Sequence, residues 1–445
     1  MPFSILTTNQ PPGLTGDYAD ILMRFSHDPL SFLTTAAQTY GDIVQIGPNQ
    51  YLLVHPRDIE TVFVQTNTRF AKLALDSKGR LEQSAFPWAT MNTEGPVWLQ
   101  KRRHIQPFFQ RQHVFRMLHT MHNDILMMLD TWSTNQPTNL QHCLMELSLT
   151  LICRFLFHRT VPEAAQRIHT AVDAIMQITR SPIRIPSFIP TPANRRLRKS
   201  MRQLDQLIYE IIATPSDDAS VESILTLLQN QPSTALHDEW GETFIRDELA
   251  TLLLSGHETM ANAIAWACVL IANHPEVEQR IVDDVALITH HGCLQLDQFG
   301  ELKYTTAVVN EALRLYPPAW ITSRRALVPC QFGDYSFKEQ TSFTISPWVT
   351  QRDERFFVEP TVFNPQRWLG DDARSSPRYA FIPFGAGPRV CIGEDLARLE
   401  MLLTIALVVS RYHIEVLPTS DCTPFPALAL RPTTLNVIFR PRKSD

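Results

Sequence analysis

Residues 381–400 read FIPFGAGPRVCIGEDLARLE: one cysteine in a loop dense with glycine and proline, followed at once by a helical pattern. Arg389 stands two residues before Cys391, and Gly393 two residues after it. A lone cysteine without a CxxC partner does not build a zinc site. It can be a nucleophile, a buried packing residue, or an axial ligand to a metal carried by something larger than the protein's own side chains. A metal ligand must be a thiolate rather than a thiol. Cys391 directly precedes IGEDLARLEMLLTIAL, and a helix N-terminus favours negative charge through its dipole and free N–H groups. Gly387 and Gly393 let the backbone approach the sulfur and a bound group closely. Nearby N–H groups would hold the sulfur and tune its electron donation.

The surrounding composition narrows the choice. The chain has 445 residues, 44% of them hydrophobic, and a formal net charge of −5. That balance exerts no overall pull toward nucleic acid. The seven cysteines are scattered and odd in number, which argues for a reducing compartment over a disulfide framework. The N-terminal MPFSILTTNQPPGLTGDYAD lacks the basic and apolar regions of a signal peptide. No stretch approaches the roughly 20 apolar residues of a membrane span without charge or proline. The expectation is a soluble, cytoplasmic protein, monomeric and without a membrane anchor.

Outward from the loop, the chain reads as mostly helical. DIVQIGPNQYLLVH predicts a hairpin around Gly47-Pro48-Asn49, and PRDIETVFVQ a helix with Pro56 in its first turn. Residues 70–95 read as a long, partly apolar loop, a kind that is often functional. Pro-rich SPIRIPSFIPTP (181–192) interrupts the helices, and ANRRLRKSMRQLDQLIYEII opens a basic helix whose charges suit a solvated face. Residues 242–273 form one long helix, apolar nearly all round and stopped before Pro275, which should cross the core of a large domain. A second β region falls at about 332–350. There is no internal repeat.

Phe384, Gly387, Arg389, Cys391 and Gly393 spell F-x-x-G-x-R-x-C-x-G, which closely resembles the haem-thiolate loop of cytochromes P450, whose haem is held by a cysteine thiolate. Three further motifs carry the resemblance. Glu311-x-x-Arg314 in NEALRLYPP is weak alone, as i, i+3 pairs are common on helix surfaces. With FNPQRW at 363–368 it resembles the family's ExxR helix clamped by a later arginine, a structural triad of Glu311, Arg314 and Arg367. Trp368 stands where the family has phenylalanine. Trp98 and Arg102, at i, i+4, match the family's W-x-x-x-R pair. Ser255-Gly256-His257-Glu258-Thr259-Met260 resembles the oxygen-activation motif of the long helix. Gly256 predicts a kink there. Ser255 replaces a small apolar residue and Met260 a second hydroxyl, which narrows the polar relay to Thr259 and Glu258. His257 reads as a surface or supporting residue rather than an iron ligand.

The resemblance implies a mainly α cytochrome P450 fold with a small β-rich lobe, a single domain over 1–445, and haem b (iron protoporphyrin IX). Cys391 would ligate iron on one face, with the long helix over the other. Arg389, Trp98, Arg102 and Arg324 (or Arg325) would reach the propionates. The implied reaction is monooxygenation with O2, with Thr259 and Glu258 relaying protons. No flavin or iron–sulfur segment follows residue 393, so electrons would come from a separate ferredoxin and its NAD(P)H-dependent reductase. Lys101, Arg103 and Arg398 are candidate docking contacts. By family position the substrate pocket would include Phe86, Trp88, Leu252, Ser255, Trp320, Ile321 and Leu428. These are mostly apolar and suit a lipophile of terpenoid or fatty acyl type. Some related fatty-acid hydroxylases carry an arginine near the first hairpin, where this chain has Pro48-Asn49-Gln50-Tyr51, and the difference favours a neutral terpene. Two other readings are a peroxide-using peroxygenase or isomerase, which tends to lack the acid–alcohol pair, and a haem-based binding or sensor protein.

Overall fold

The long apolar helix expected over 242–273 runs His237–Ala272 in the computed structural model. The structure describes residues 10–14, 16–72, 85–161, 167–168, 170–172, 174–175, 189–214, 223–230, 237–290, 293–370 and 376–442. The middle of the 70–95 loop and most of the Pro-rich break at 181–188 lie outside the described residues. The chain divides into two compact units, one of Met1–Glu82, Ala319–Val362 and Arg374–Cys391, the other of Gln83–Pro318, Phe363–Ala373 and Ile392–Asp445.

The first unit is the β-rich lobe. The predicted hairpin pairs Ile43–Gly47 with Gln50–Leu53, and Asn49 takes the left-handed φ of 55° at its turn, a conformation asparagine tolerates. Gln50–Leu53 then pairs in parallel with Ser342–Ile345. Thr322–Ala326 and Phe70–Ala71 complete a five-stranded sheet. Its core is aromatic: Tyr51 meets Phe337 at 4.8 Å between ring centroids, and Phe343 meets Phe332 at 5.0 Å and Phe337 at 5.1 Å. Such pairs add to burial through edge-to-face contact. Tyr51 is thus a core residue of this lobe. The helix Pro56–Val64 starts on a proline, is capped by His55 accepting the Arg57 N–H, and buries Ile59, Val62 and Phe63.

The second unit is helical. The helix Leu140–Phe157 is long and apolar enough to cross a membrane, which the sequence reading did not anticipate, yet 67% of it is buried inside the protein. It packs along the long helix, and the reason is visible at Gly256. A Cβ there would lie 2.9 Å from Ile152 Cγ1. The glycine therefore serves close helix approach, and the helix stays α-helical through it. Trp266, also on the long helix, stacks on Tyr316 at 3.8 Å and donates its Nε1–H to the Leu430 carbonyl at 3.1 Å.

Candidate active site

The cysteine loop is shaped by its glycines. Gly387 has a φ of 69°, and a Cβ on it would fall 2.2 Å from the Phe63 carbonyl oxygen. The loop is therefore pressed onto the Pro56–Val64 helix, and the room saved at Gly387 is for that carbonyl rather than for the sulfur. The Val390 N–H donates to Gly387 O at 3.1 Å and the Cys391 N–H to Phe384 O at 2.9 Å. Cys391 is exposed, whereas Cys153 and Cys268 are buried and Cys143, Cys330 and Cys422 are half-buried. Burial pushes Cys143 and Cys330 up to about 11 and Cys153 and Cys268 to about 12, and raises Cys422 as well. Arg389 donates its Nε–H to Asn67 Oδ1 at 3.0 Å. Arg324 is buried, bonded through Nη1 to Thr322 Oγ1 at 3.0 Å and Ser323 O at 2.8 Å, and lies over the Phe63 ring. Arg325 is partly exposed and bonded to Gln340. An exposed sulfur on a tightly held loop, with two arginines in the same unit, suits a metal carried by an anionic macrocycle. Gly393 lies just before the helix Glu394–Arg411.

In the helical unit, Glu311 collects five hydrogen bonds. Its Oε1 accepts from Arg314 Nη2 at 2.8 Å, Arg367 Nε at 2.9 Å and the Asn364 N–H at 3.0 Å. Its Oε2 accepts from Arg314 Nε at 2.9 Å and Trp368 Nε1 at 2.8 Å. Both Glu311 and Arg314 have fully buried side chains. Trp368 thus does what phenylalanine cannot: it donates to the carboxylate. The structure brings these residues together in the geometry of a buried, fully bonded carboxylate, which is expensive to disrupt one partner at a time.

Along the long helix, hydroxyls bond backward one turn at a time. Thr251 Oγ1 donates to Asp247 O at 3.0 Å, Ser255 Oγ to Thr251 O at 2.6 Å, and Thr259 Oγ1 to Ser255 O at 2.6 Å. Glu258 is buried. Met260 is buried too, so it fills the core at the position where the family motif has a second hydroxyl. His257 is not at the surface: it is buried, and its Nδ1–H donates to Leu253 O at 2.9 Å. Asn262, which the sequence reading passed over, is fully buried one turn beyond Glu258, and its amide atoms have no hydrogen-bond partner among the described residues.

Trp98 and Arg102 lie on the helix Gly95–Ile105, the first buried and the second half-buried. Lys101 corrects an expectation. It is fully buried and its Nζ donates to the Trp88 carbonyl, so it cannot meet a docking protein. Its neighbours Asp247 and Glu248 were also missed. Asp247 Oδ2 accepts the Trp88 N–H at 2.8 Å, and Glu248 Oε2 the Thr90 N–H at 2.6 Å. Burial pushes both carboxyls up, and burial lowers Lys101 to about 8 against the pull of Glu248 and Asp247. Arg103 is exposed, while Arg398 is half-exposed and bonded to Glu394 at 2.9 Å and Asn310 at 2.8 Å. Of the expected pocket residues, Phe86, Trp88, Leu252, Ser255 and Leu428 belong to the helical unit, with Leu428 more than half exposed in a hairpin turn. Trp320 and Ile321 belong to the β-rich unit, where the Trp320 carbonyl accepts from Ser346 Oγ at 2.8 Å.

Comparison with known proteins agrees with this geometry. Cyclooctatin synthase of Streptomyces melanosporofaciens is 29% identical over 94% of this chain and 93% of its own length. Pentalenene oxygenase of Streptomyces avermitilis is 29% identical over 93% of this chain and 91% of its own. The structure of CYP175A1 from Thermus thermophilus matches with a TM-score of 0.75 at 25% identity, over 97% of this chain and 100% of that one. Retinoic acid-bound cyanobacterial CYP120A1 shares the fold, with a TM-score of 0.81 at 21% identity over 98% of this chain and 100% of that one. A single family model, described as cytochrome P450, matches residues 18–439 and so takes in both units. With the cysteine loop, the Glu311 cluster and the long helix in place, the chain belongs to the cytochrome P450 family.

Proposed function

We propose that this P450 monooxygenase acts on a neutral terpenoid lipophile, working as one cytoplasmic, monomeric domain over 1–445 with haem b. The observation that carries the reading is Cys391, the exposed thiol on a loop closed by its own N–H bond to Phe384. Haem ligated by that thiolate supplies O2 activation, since electron density from sulfur favours O–O cleavage. The remaining work falls to the chain. Arg389, Arg324, Trp98 and Arg102 bind the propionates, and Phe384, Gly387 and Gly393 shape the loop around the ligand. Thr259 and Glu258 hold and move protons. Phe86, Trp88, Leu252, Ser255, Trp320, Ile321 and Leu428 line the substrate and exclude water. The terpenoid assignment draws on the apolar, tryptophan-rich character of these residues and on relatives such as pentalenene oxygenase. Electrons come from a separate ferredoxin and its NAD(P)H-dependent reductase.

The test is spectroscopic. The reduced carbon-monoxide complex should show the thiolate-specific Soret band, and Cys391→Ala should lose it. A variant that keeps the band removes the ligand assignment. Screening terpenes for the spectral shift of water displacement, then for NAD(P)H-dependent oxidation, tests the substrate class. Product from peroxide alone, with none from NAD(P)H and redox partners, would make the enzyme a peroxygenase.

A further inference from the structure

We propose that Lys101, Asp247 and Glu248 form a buried charged latch that positions the 85–90 segment, and through it the lipophilic substrate. The inference rests on the reading of Phe86 and Trp88 as substrate-lining residues. The three are positioning residues, since they hold backbone and not substrate.

Four backbone groups of this short segment are held by four charged side chains from two helices. Arg246 Nη1 donates to Ala85 O at 3.4 Å, and Lys101 Nζ to Trp88 O. Asp247 Oδ2 accepts the Trp88 N–H at 2.8 Å, and Glu248 Oε2 the Thr90 N–H at 2.6 Å. Trp88 is thus gripped through both its N–H and its carbonyl by opposite charges, the cation on Gly95–Ile105 and the anion on His237–Ala272. Lys101 and Asp247 show no exposure and Glu248 2%. Arg246 pairs with Asp247 at 2.9 Å, and Asp205 stands 3.5 Å from Arg246. The lysine ammonium also lies 4.3 Å from the Phe244 ring centroid and 5.5 Å from that of Trp88.

Buried charge is a costly way to hold a loop, because desolvation offsets most of the attraction. Apolar packing at Phe86 and Ala89, both buried, would hold the segment down. Charge-assisted bonds to the backbone add direction: they fix where Trp88 sits along both helices at once. The anionic side of the latch is also one turn from the hydroxyl series on the same helix, since Thr251 Oγ1 bonds to both Asp247 O and Glu248 O at 3.0 Å. The segment that presents Phe86 and Trp88 and the helix that presents Ser255 and Thr259 therefore share one set of anchors.

The test uses the haem-loaded holoenzyme and two iron ligands, imidazole and N-dodecylimidazole. Both bind iron through the ring nitrogen, and the second adds an alkyl chain that needs the lipophile pocket. Lys101→Met should speed hydrogen exchange at the Trp88 and Thr90 amides. It should weaken N-dodecylimidazole by about 10-fold or more, leave imidazole affinity unchanged, and keep the carbon-monoxide band. If that variant does not load haem, Lys101→Met/Glu248→Gln, which removes one charge of each sign, takes its place in the same measurements. Unchanged amide exchange, or equal weakening of both ligands, overturns the latch. Trp88→Ala separates the two ideas. If it weakens N-dodecylimidazole while the lysine variant does not, the latch fails and the pocket stands. If it weakens neither ligand, the pocket reading fails and the latch falls with it.

Discussion

Thr259 illustrates how one hydrogen bond limits a side chain. Its hydroxyl proton is committed to the Ser255 carbonyl at 2.6 Å, so the oxygen is left to accept. Neighbouring helix residues point about 100° apart, so Thr259 and Glu258 cannot face one point together. In the proposed chemistry Thr259 would accept a hydrogen bond at its hydroxyl oxygen and so hold a proton donor in place, and buried Glu258 would pass protons through water or a rotamer change. Thr259→Ala should keep substrate affinity and the carbon-monoxide band, since neither needs a proton. Product formed per NAD(P)H should fall by about 10-fold or more, with peroxide rising in step. Wild-type coupling in that variant would move the proton route to Ser255 or the substrate. The proposed acid and alcohol stand out in the sequence because they are adjacent. That Trp368 would bond Glu311 was not legible, because side-chain direction across a tertiary contact leaves no trace in spacing.

Between elements, the helices Leu140–Phe157 and Glu394–Arg411 share a buried acid. Glu400 is fully buried and accepts from Ser148 Oγ at 2.6 Å. Burial pushes its carboxyl up from the ordinary 4.5 to about 8, against the hydrogen bond from Ser148. The native state therefore binds this proton more tightly than the unfolded chain. Stability from this group is fully present below about 4.5, falls as pH rises, and is gone above about 8. Between pH 5 and 8, Glu400→Gln should flatten the fall in denaturation midpoint that the wild type shows. A midpoint whose pH profile ignores that substitution would mean the carboxyl is ionised in the native state. Periodicity made the long helix legible to within a few residues, 242–273 expected and 237–272 found. It could not reveal that Gln50–Leu53 pairs with Ser342–Ile345, because strands from opposite ends of the chain carry no mark of their partner.

For the whole molecule, the question is where electrons enter. A net charge of −5 is no steering field by itself, so any attraction of an acidic ferredoxin must be local. With Lys101 buried, exposed Arg103 is the stronger of the remaining candidates, since Arg398 is partly neutralised by Glu394. Reduction by ferredoxin should slow as salt rises, because screening shortens the attraction to about 8 Å at physiological ionic strength. Arg103→Glu should slow it further at low salt and leave the carbon-monoxide band intact. A rate indifferent to both would place docking elsewhere. The family was readable because its motifs are compact and local, the cysteine loop above all. The buried Lys101 was not, because a lysine in an otherwise basic helix looks like a surface residue until its neighbours are seen.

The contact at Gly256 also bears on how this sequence can drift over generations. With only 2.9 Å between a would-be Cβ and Ile152 Cγ1, the two positions share one fixed volume. A lineage that acquires alanine at 256 must first lose the γ carbons at 152, as in alanine, because valine would keep the carbon at 2.9 Å, so the order of the two changes is constrained. In descendants of this chain the pair should covary in size, and a large residue at both positions should be missing.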